Sequence, residues 1–120
     1  MIYLGTDIVS IIRFEKIIYN HKNKFLNKIF TKYEQAYCNS KVYSYIHYSG
    51  KFAAKEAVKK VLLSSKIKES ISLKLIEINN FSNGAPFVKI IDKNYNGDLI
   101  NISISHTKEY ATATAILDLK

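Results

Sequence analysis

The sequence has 120 residues, 48% of them hydrophobic, enough to remove roughly two thirds of the unfolded surface from water without a disulfide or structural metal, so one domain spanning 1–120 is expected. The single cysteine, Cys38, excludes an intramolecular disulfide, no CxxC or His-rich zinc pattern occurs, no apolar run reaches the roughly 18 residues of a membrane span, and the MIYLGTDIV start lacks signal-peptide features; a cytoplasmic protein without membrane association is expected. Lys+Arg of 18 against Asp+Glu of 10 gives a formal charge of +8, which favours an acidic partner such as nucleic acid, an acidic protein or a phosphate-rich small molecule, although a Lys-rich composition alone produces the same excess.

Ile2 to Val9 is apolar and partly β-branched, the pattern of a buried strand, interrupted by Gly5 and Asp7. A carboxylate in an apolar strand costs several kcal/mol in desolvation unless it is met by a cation or by donors, so Asp7 should have a partner or cap the next element. From about Arg13 to Ile29, Phe14, Ile17, Ile18, Phe25 and Ile29 recur at near-helical spacing and predict one or two amphipathic helices with a break near Asn20 to Asn23. Arg13 is the only arginine, a planar five-donor group suited to a carboxylate or phosphate, though equally at home on a plain surface. Thr31-Lys32-Tyr33-Glu34 forms a capping box that starts a helix running through Tyr37 and Cys38. Tyr43, Tyr45 and Tyr48 follow; aromatics among lysines can stack nucleic-acid bases, but this spacing favours packing.

Ser49 to Lys60 reads SGKFAAKEAVKK, a run of strong helix formers with Gly50 marking the break before it. Ala54, Ala57, Val58, Val61 and Leu62 share one side, predicted to be buried, while Glu56 and Lys60 lie one turn apart on another, an arrangement that a surface ion pair worth roughly 0.2–0.5 kcal/mol would also produce. Beyond it the period changes to two. Leu73, Leu75 and Glu77 alternate with Lys74, Ile76 and Ile78, and Asn83-Gly84 turns the chain before Phe87 to Ile91, predicting a hairpin. Asn96-Gly97 predicts a second turn. Ile100, Ile102 and Ile104 then alternate with Asn101, Ser103 and Ser105 up to His106, and a last strand runs from Tyr110 to Leu117 with Ala111, Ala113, Ala115 and Leu117 on one face. The expected fold is α+β, an antiparallel, meander-like sheet with helices packed on one face.

Asp7, Glu56 and His106 stand out as chemical groups. Mg²⁺ takes hard oxygens octahedrally and commonly only one or two protein carboxylates, leaving the rest to water and substrate phosphates, a requirement that Asp7 and Glu56 meet. Lys60 and His106 could then neutralise phosphate oxygens.

Gly5-Thr6-Asp7-Ile8-Val9 with Arg13, Phe30-Thr31 with Glu34, Tyr37 and Cys38, Phe52-Ala53-Ala54-Lys55-Glu56-Ala57, Asn83-Gly84 with Pro86, and Ser103-Ile104-Ser105-His106-Thr107 with Tyr110-Ala111 occur in one order over nearly the whole chain. In this the sequence resembles the small holo-acyl-carrier-protein synthases of the 4'-phosphopantetheinyl transferase superfamily. The resemblance implies that fold and a Mg²⁺-dependent transfer of 4'-phosphopantetheine from coenzyme A to a serine of apo-acyl carrier protein, leaving adenosine 3',5'-bisphosphate, in support of fatty acid biosynthesis. It further implies a cytoplasmic homotrimer with active sites at subunit interfaces. By motif position Asp7 and Glu56 would be metal ligands and Glu56, Lys60 and His106 catalytic. Lys51, Lys60, Asn83, Gly84, Pro86 and His106 would bind coenzyme A, and Arg13 would face the acidic carrier protein. The serine proton goes to Glu56, directly or through a water, with His106 and Lys60 as alternatives. Two positions depart from the pattern: Lys51 stands where the family commonly has Arg, and Leu63 to Lys68 lacks the glycines common after the central helix. A basic nucleic-acid module would explain the charge and tyrosines but leaves Asp7 and Glu56 repelling phosphates; a carrier-binding protein without activity is the other alternative.

Overall fold

Ala53, Ala54, Ala57, Val58, Val61 and Leu62 are all fully buried. They form the inner stripe of α3 (Ser44–Ser64), the helix against which the strands pack. In the computed structural model, which describes residues 1–92, 94–95, 97 and 99–119, the chain runs β1 (Ile2–Ser10), α1 (Ile11–Ile29), α2 (Lys32–Asn39), α3, a 3-10 turn (Leu73–Leu75), β2 (Ile76–Asn80), β3 (Pro86–Ile90), β4 (Ile100–His106) and β5 (Tyr110–Asp118). The class is α+β, with antiparallel strands and helices on one face.

The strands form two sheets rather than one meander: a three-stranded sheet in the order β1-β5-β4 and a separate β2-β3 hairpin. Period-2 alternation turns Ala111, Ala113, Ala115 and Leu117 of the central strand inward, and these small side chains let α3 come close. Pairing of Gly5 with Ala115 and Asp7 with Ala113 fixes which side chains of β1 face the helix. The expected buried strand is therefore buried on that face alone. β1 is an edge strand, and Ile2, Leu4 and Ile8 project from the sheet's other face at 62%, 61% and 66% exposure.

Helix starts follow local chemistry. Ser10 caps α1 by accepting from the Arg13 amide, and Thr31 and Glu34 form both arms of the capping box at α2. The expected break in the first helix is at Lys22, whose φ of 40° and ψ of −124° are non-helical. A second cluster of Phe14, Leu26, Phe30, Cys38 and Tyr48 packs α1 and α2 against the start of α3, with Phe30 and Tyr48 edge to face at 4.9 Å.

Three local readings need correction. Gly50 does not break the chain; it sits inside α3, because a Cβ there would meet Ile104 Cγ2 at 3.0 Å. Leu73 to Leu75 is a 3-10 turn, and the strand begins only at Ile76. Lys60 is ion-paired from α3 to Asp7 on the facing strand rather than with Glu56 along the helix. The hairpin turn at Asn83-Gly84 is as expected, with Gly84 at φ +91°. Of the second expected turn, Asn96 lies outside the described residues, while Gly97 has φ +83° and would press a Cβ to 2.8 Å from Ile90. In the glycine-free segment after α3, Lys66 takes φ +63°, a left-handed cap that costs a non-glycine residue about 1 kcal/mol.

Candidate active site

Asp7 and Glu56 face one cavity. β1 and α3 deliver them because Asp7 lies on the helix-facing side of its strand, two residues beyond Gly5, where the backbones of strand and helix approach most closely. Both line a hollow of about 320 Å³ together with Arg13, Phe14, Ile17, Phe25 and Phe52. Its lining combines three phenylalanines and aliphatic side chains with two carboxylates and one guanidinium. The Asp7 carboxylate is 20% exposed, and its partner is Lys60, whose Nζ lies 3.5 Å from Oδ1 and donates to Thr6 O at 2.7 Å. Among the described residues there is no group of three or more His, Cys, Asp or Glu that could enclose a metal. Two carboxylates lining one hollow, one from β1 and one from α3, are a donor set that suits Mg²⁺ held jointly with a phosphorylated substrate, since that ion keeps most of its shell for water and phosphate oxygen. A zinc-type cage of protein ligands is not what these residues offer.

A second hollow of about 250 Å³ gathers Lys51, Gly84, Pro86 and His106 with Tyr37, Ile46, His47, Gly50, Asn80 and Ile104. Lys51 is 3% exposed, donates to Ile78 O and Asn80 Oδ1 at 2.6 Å each, and lies 4.5 Å from the centre of the Tyr37 ring. Burial holds its pKa below the ordinary lysine value. His47 is likewise held down, first by burial and then by Lys41, His106 and Lys51. His106, at the exposed end of β4, contacts Thr107 O through Nδ1 at 3.2 Å. The hairpin turn forms the far wall, its shape kept by Asn80 Nδ2 donating to Gly84 O and Asn83 Oδ1 accepting from Ala85 N.

The expected site residues thus fall into two groups. Asp7, Glu56 and Arg13 share the first hollow; Lys51, Gly84, Pro86 and His106 share the second; Lys60 adjoins Asp7, and Asn83 shapes the turn without lining either hollow. At about 100° per residue, His47, Gly50 and Lys51 project from one side of α3 and Phe52 and Glu56 from the opposite side. His47, Asn80 and Tyr37 were not anticipated as lining residues. Only Tyr37 carried a signal, its place in the block with Glu34 and Cys38.

Residues 3–115 match the family model of the 4'-phosphopantetheinyl transferase superfamily. The chain is 44% identical to a holo-[acyl-carrier-protein] synthase of Chlamydia pneumoniae over 97% of its own length and 96% of that protein's. It is 40% identical to one from Protochlamydia amoebophila over 94% of both chains. Its structure is similar, with a TM-score of 0.77 and 31% identity over 96% of this chain and 94% of the other, to a holo-(acyl-carrier-protein) synthase from Bacillus anthracis crystallised in complex with CoA (3',5'-ADP).

Proposed function

The chain belongs to the 4'-phosphopantetheinyl transferase superfamily, and on that premise we propose that it transfers 4'-phosphopantetheine from coenzyme A to a serine of apo-acyl carrier protein. The products are holo-acyl carrier protein, which serves fatty acid biosynthesis, and adenosine 3',5'-bisphosphate. The chain works as one domain, 1–120, in the cytoplasm; among the described residues no helix is long and apolar enough to cross a membrane. The observation that carries the reading is the juxtaposition of Asp7, Glu56 and Arg13 around one hollow in a chain over 40% identical to a named synthase.

In the reaction the serine oxygen bonds to the phosphorus that bears pantetheine, and the pyrophosphate P–O bond on the adenosine side breaks. Asp7 and Glu56 would hold Mg²⁺, which supplies charge neutralisation on the pyrophosphate. Glu56 accepts the serine proton. Lys60, with its side chain 51% exposed beside Asp7, offers its ammonium to the phosphate oxygens as charge develops on the leaving bisphosphate. Lys51 and His106 hold the nucleotide end against the wall formed by Gly84 and Pro86, with Asn83 keeping the turn. Arg13, exposed at the rim, meets the acidic carrier, and the net charge of +8 assists the encounter.

Each hollow is near or below the lower limit of about 300 Å³ for an ordinary small-molecule pocket. Neither is a whole site for a molecule as large as coenzyme A, and the two lie on opposite sides of α3. A homotrimer in which one copy's Asp7 and Glu56 meet the next copy's Lys51 and His106 resolves this. The outer sheet face supports that assembly, since Ile2, Leu4 and Ile8 of β1 and Ile116 and Tyr110 of β5 leave an apolar surface for another copy.

Intact-mass spectrometry of apo-acyl carrier protein incubated with the protein, coenzyme A and Mg²⁺ tests the reading. The expected mass gain equals phosphopantetheine, disappears with EDTA, and is mostly abolished by Asp7→Ala or Glu56→Ala in folded protein. Near-normal turnover of both variants at limiting Mg²⁺ would remove these residues as ligands, and no gain with the unaltered protein would remove the activity.

A further inference from the structure

Among the described residues, one edge of β2 in the two-stranded sheet has no strand beside it. Leu75 O accepts from Ile91 N and Phe81 N donates to Ala85 O, each at 2.8 Å, so odd-numbered residues turn their backbone groups toward β3. By the alternation of an antiparallel ladder, Ile76 and Ile78 turn theirs away, toward α2 and α3. Buried backbone groups need partners, and here ionised side chains supply them. Lys55 Nζ donates to Ile76 O at 2.7 Å and Leu73 O at 3.0 Å; Glu34 Oε2 accepts from Ile78 N at 2.7 Å; Lys51 Nζ donates to Ile78 O at 2.6 Å. Glu34 Oε1 lies 2.7 Å from Lys55 Nζ and also accepts from Thr31 N at 2.9 Å, and the Glu34 and Lys55 side chains are both 0% exposed.

Two features give this network a role beyond plugging an edge. The peptide groups of one residue, Ile78, are gripped from both sides, the N–H by Glu34 and the C=O by Lys51, so the carbonyl that fixes the Lys51 ammonium is itself fixed by the Glu34–Lys55 pair. The charges are also unequal. Glu34 offsets one of two buried ammoniums, with half-buried Glu77 acting more weakly on both, and Lys51 has spent two of its three donors on protein. The remaining donor and positive charge belong to the hollow that Lys51 lines.

We propose that Glu34 and Lys55 are positioning residues for the coenzyme end of the site, setting the β2-β3 hairpin and, through Ile78, the Lys51 ammonium that meets the anionic nucleotide. The inference rests on the transfer reaction proposed above. The metal-side hollow lies on the other side of α3, so the pair acts on coenzyme A and not on the carrier.

Steady-state kinetics of Glu34→Gln, Lys55→Met and Asn80→Ala tests this. Glu34→Gln is isosteric and keeps an acceptor for the Thr31 amide; Asn80→Ala removes a Lys51 anchor and the Asn80–Gly84 bond of the turn together, and is the comparison in which the hollow is loosened directly with the buried pair intact. In each the KM for coenzyme A should rise about tenfold, the worth of a displaced hydrogen bond to a charged group. The kcat at saturating coenzyme A and the KM for the carrier protein should stay within about twofold. A merely structural role removes folded enzyme, so kcat would fall with the KM for coenzyme A unchanged; that pattern, or a KM unchanged in Glu34→Gln and Lys55→Met while Asn80→Ala raises it, overturns the proposal. Unaltered protein that neither turns over nor binds coenzyme A by calorimetry overturns the reaction itself, a result distinct from transfer that proceeds with no change in KM across the variants.

Discussion

Gly5→Ala tests whether the close approach of β1 to α3 builds the hollow that Asp7 and Glu56 line. A Cβ at this position would lie 2.0 Å from Ala57 O, 3.0 Å from Ala57 C and 3.1 Å from Val61 Cγ2. Carbon and oxygen settle at about 3.3 Å or more, so strand and helix must separate by roughly 1.3 Å. The nearest atoms are helix backbone and cannot rotate aside. Overpacking of this kind costs about 1–3 kcal/mol, and the immobile neighbour puts Gly5→Ala at the upper end, a fall in Tm on the order of 10 °C. The same separation acts on chemistry, because Asp7 is two residues from the clash on the same strand face and Glu56 adjoins Ala57. Misplacing a reacting group by about 1 Å costs about 100-fold, so transfer by the protein that remains folded should fall by that order. Thermal unfolding by circular dichroism and mass-spectrometric transfer assays well below the variant's Tm measure the two effects separately. A Tm within about 2 °C of the unaltered protein would refute the steric premise. A large fall in Tm with full turnover would refute the link from close approach to the placement of Asp7 and Glu56.

The Lys51 pKa is lowered from 10.5 chiefly by burial, so the KM for coenzyme A should rise with pH below 10.5 as the ammonium is lost, and Lys51→Arg, which stays charged, should abolish that alkaline limb. The sign for stability is opposite: a depressed folded-state pKa contributes stability that is complete above 10.5 and lost as pH falls through the lowered value, so between the two the empty protein gains stability while coenzyme affinity weakens. An alkaline limb that survives in Lys51→Arg would assign it to another group. Cys38 is 0% exposed and burial pushes its thiol up to about 12, so iodoacetamide at about pH 8 should leave the native protein unmodified and label it fully once unfolded. Native labelling at the unfolded rate would contradict the buried placement.

The elements that were read correctly are those whose signals are local. The capping box at Thr31 and Glu34, the alternation of β4 and β5 and the turn at Asn83-Gly84 each depend on residues within a few positions of one another. Gly50 departs from the local rule that glycine breaks a helix: it lies within a continuous helix, and the missing Cβ lets Ile104 of β4 pack close, since a Cβ there would lie 3.0 Å from Ile104 Cγ2. The exposure of β1 was hidden because apolar residues occupy both its faces, as they would in a fully buried strand, and only the sheet order shows that one face has no cover within the chain. In the sequence Lys55 is a strong helix former within the Phe52 to Ala57 block, with nothing to mark it as buried. Its burial depends on Glu34 and on the carbonyls of Leu73 and Ile76, which are remote in sequence, and no periodicity carries that information.

The same distinction accounts for how the site residues were found and why their division was not. Motif spacing identifies side chains but carries no angle about a helix axis beyond 3.6 residues per turn. Lys51 and Glu56 are five residues apart on α3, about 140° around its axis, so one helix carries both and keeps them apart. In the proposed reaction the two meet through a second copy, and Ile2, Leu4, Ile8 and Ile116 form the exposed apolar sheet face offered to it. Leu4→Lys puts a charge into that face at a residue that lines neither hollow. Sedimentation should then show smaller species, and turnover should fall steeply with enzyme dilution while the circular dichroism of each protomer is kept. Turnover proportional to concentration in a monomeric Leu4→Lys would mean that one chain completes the site alone.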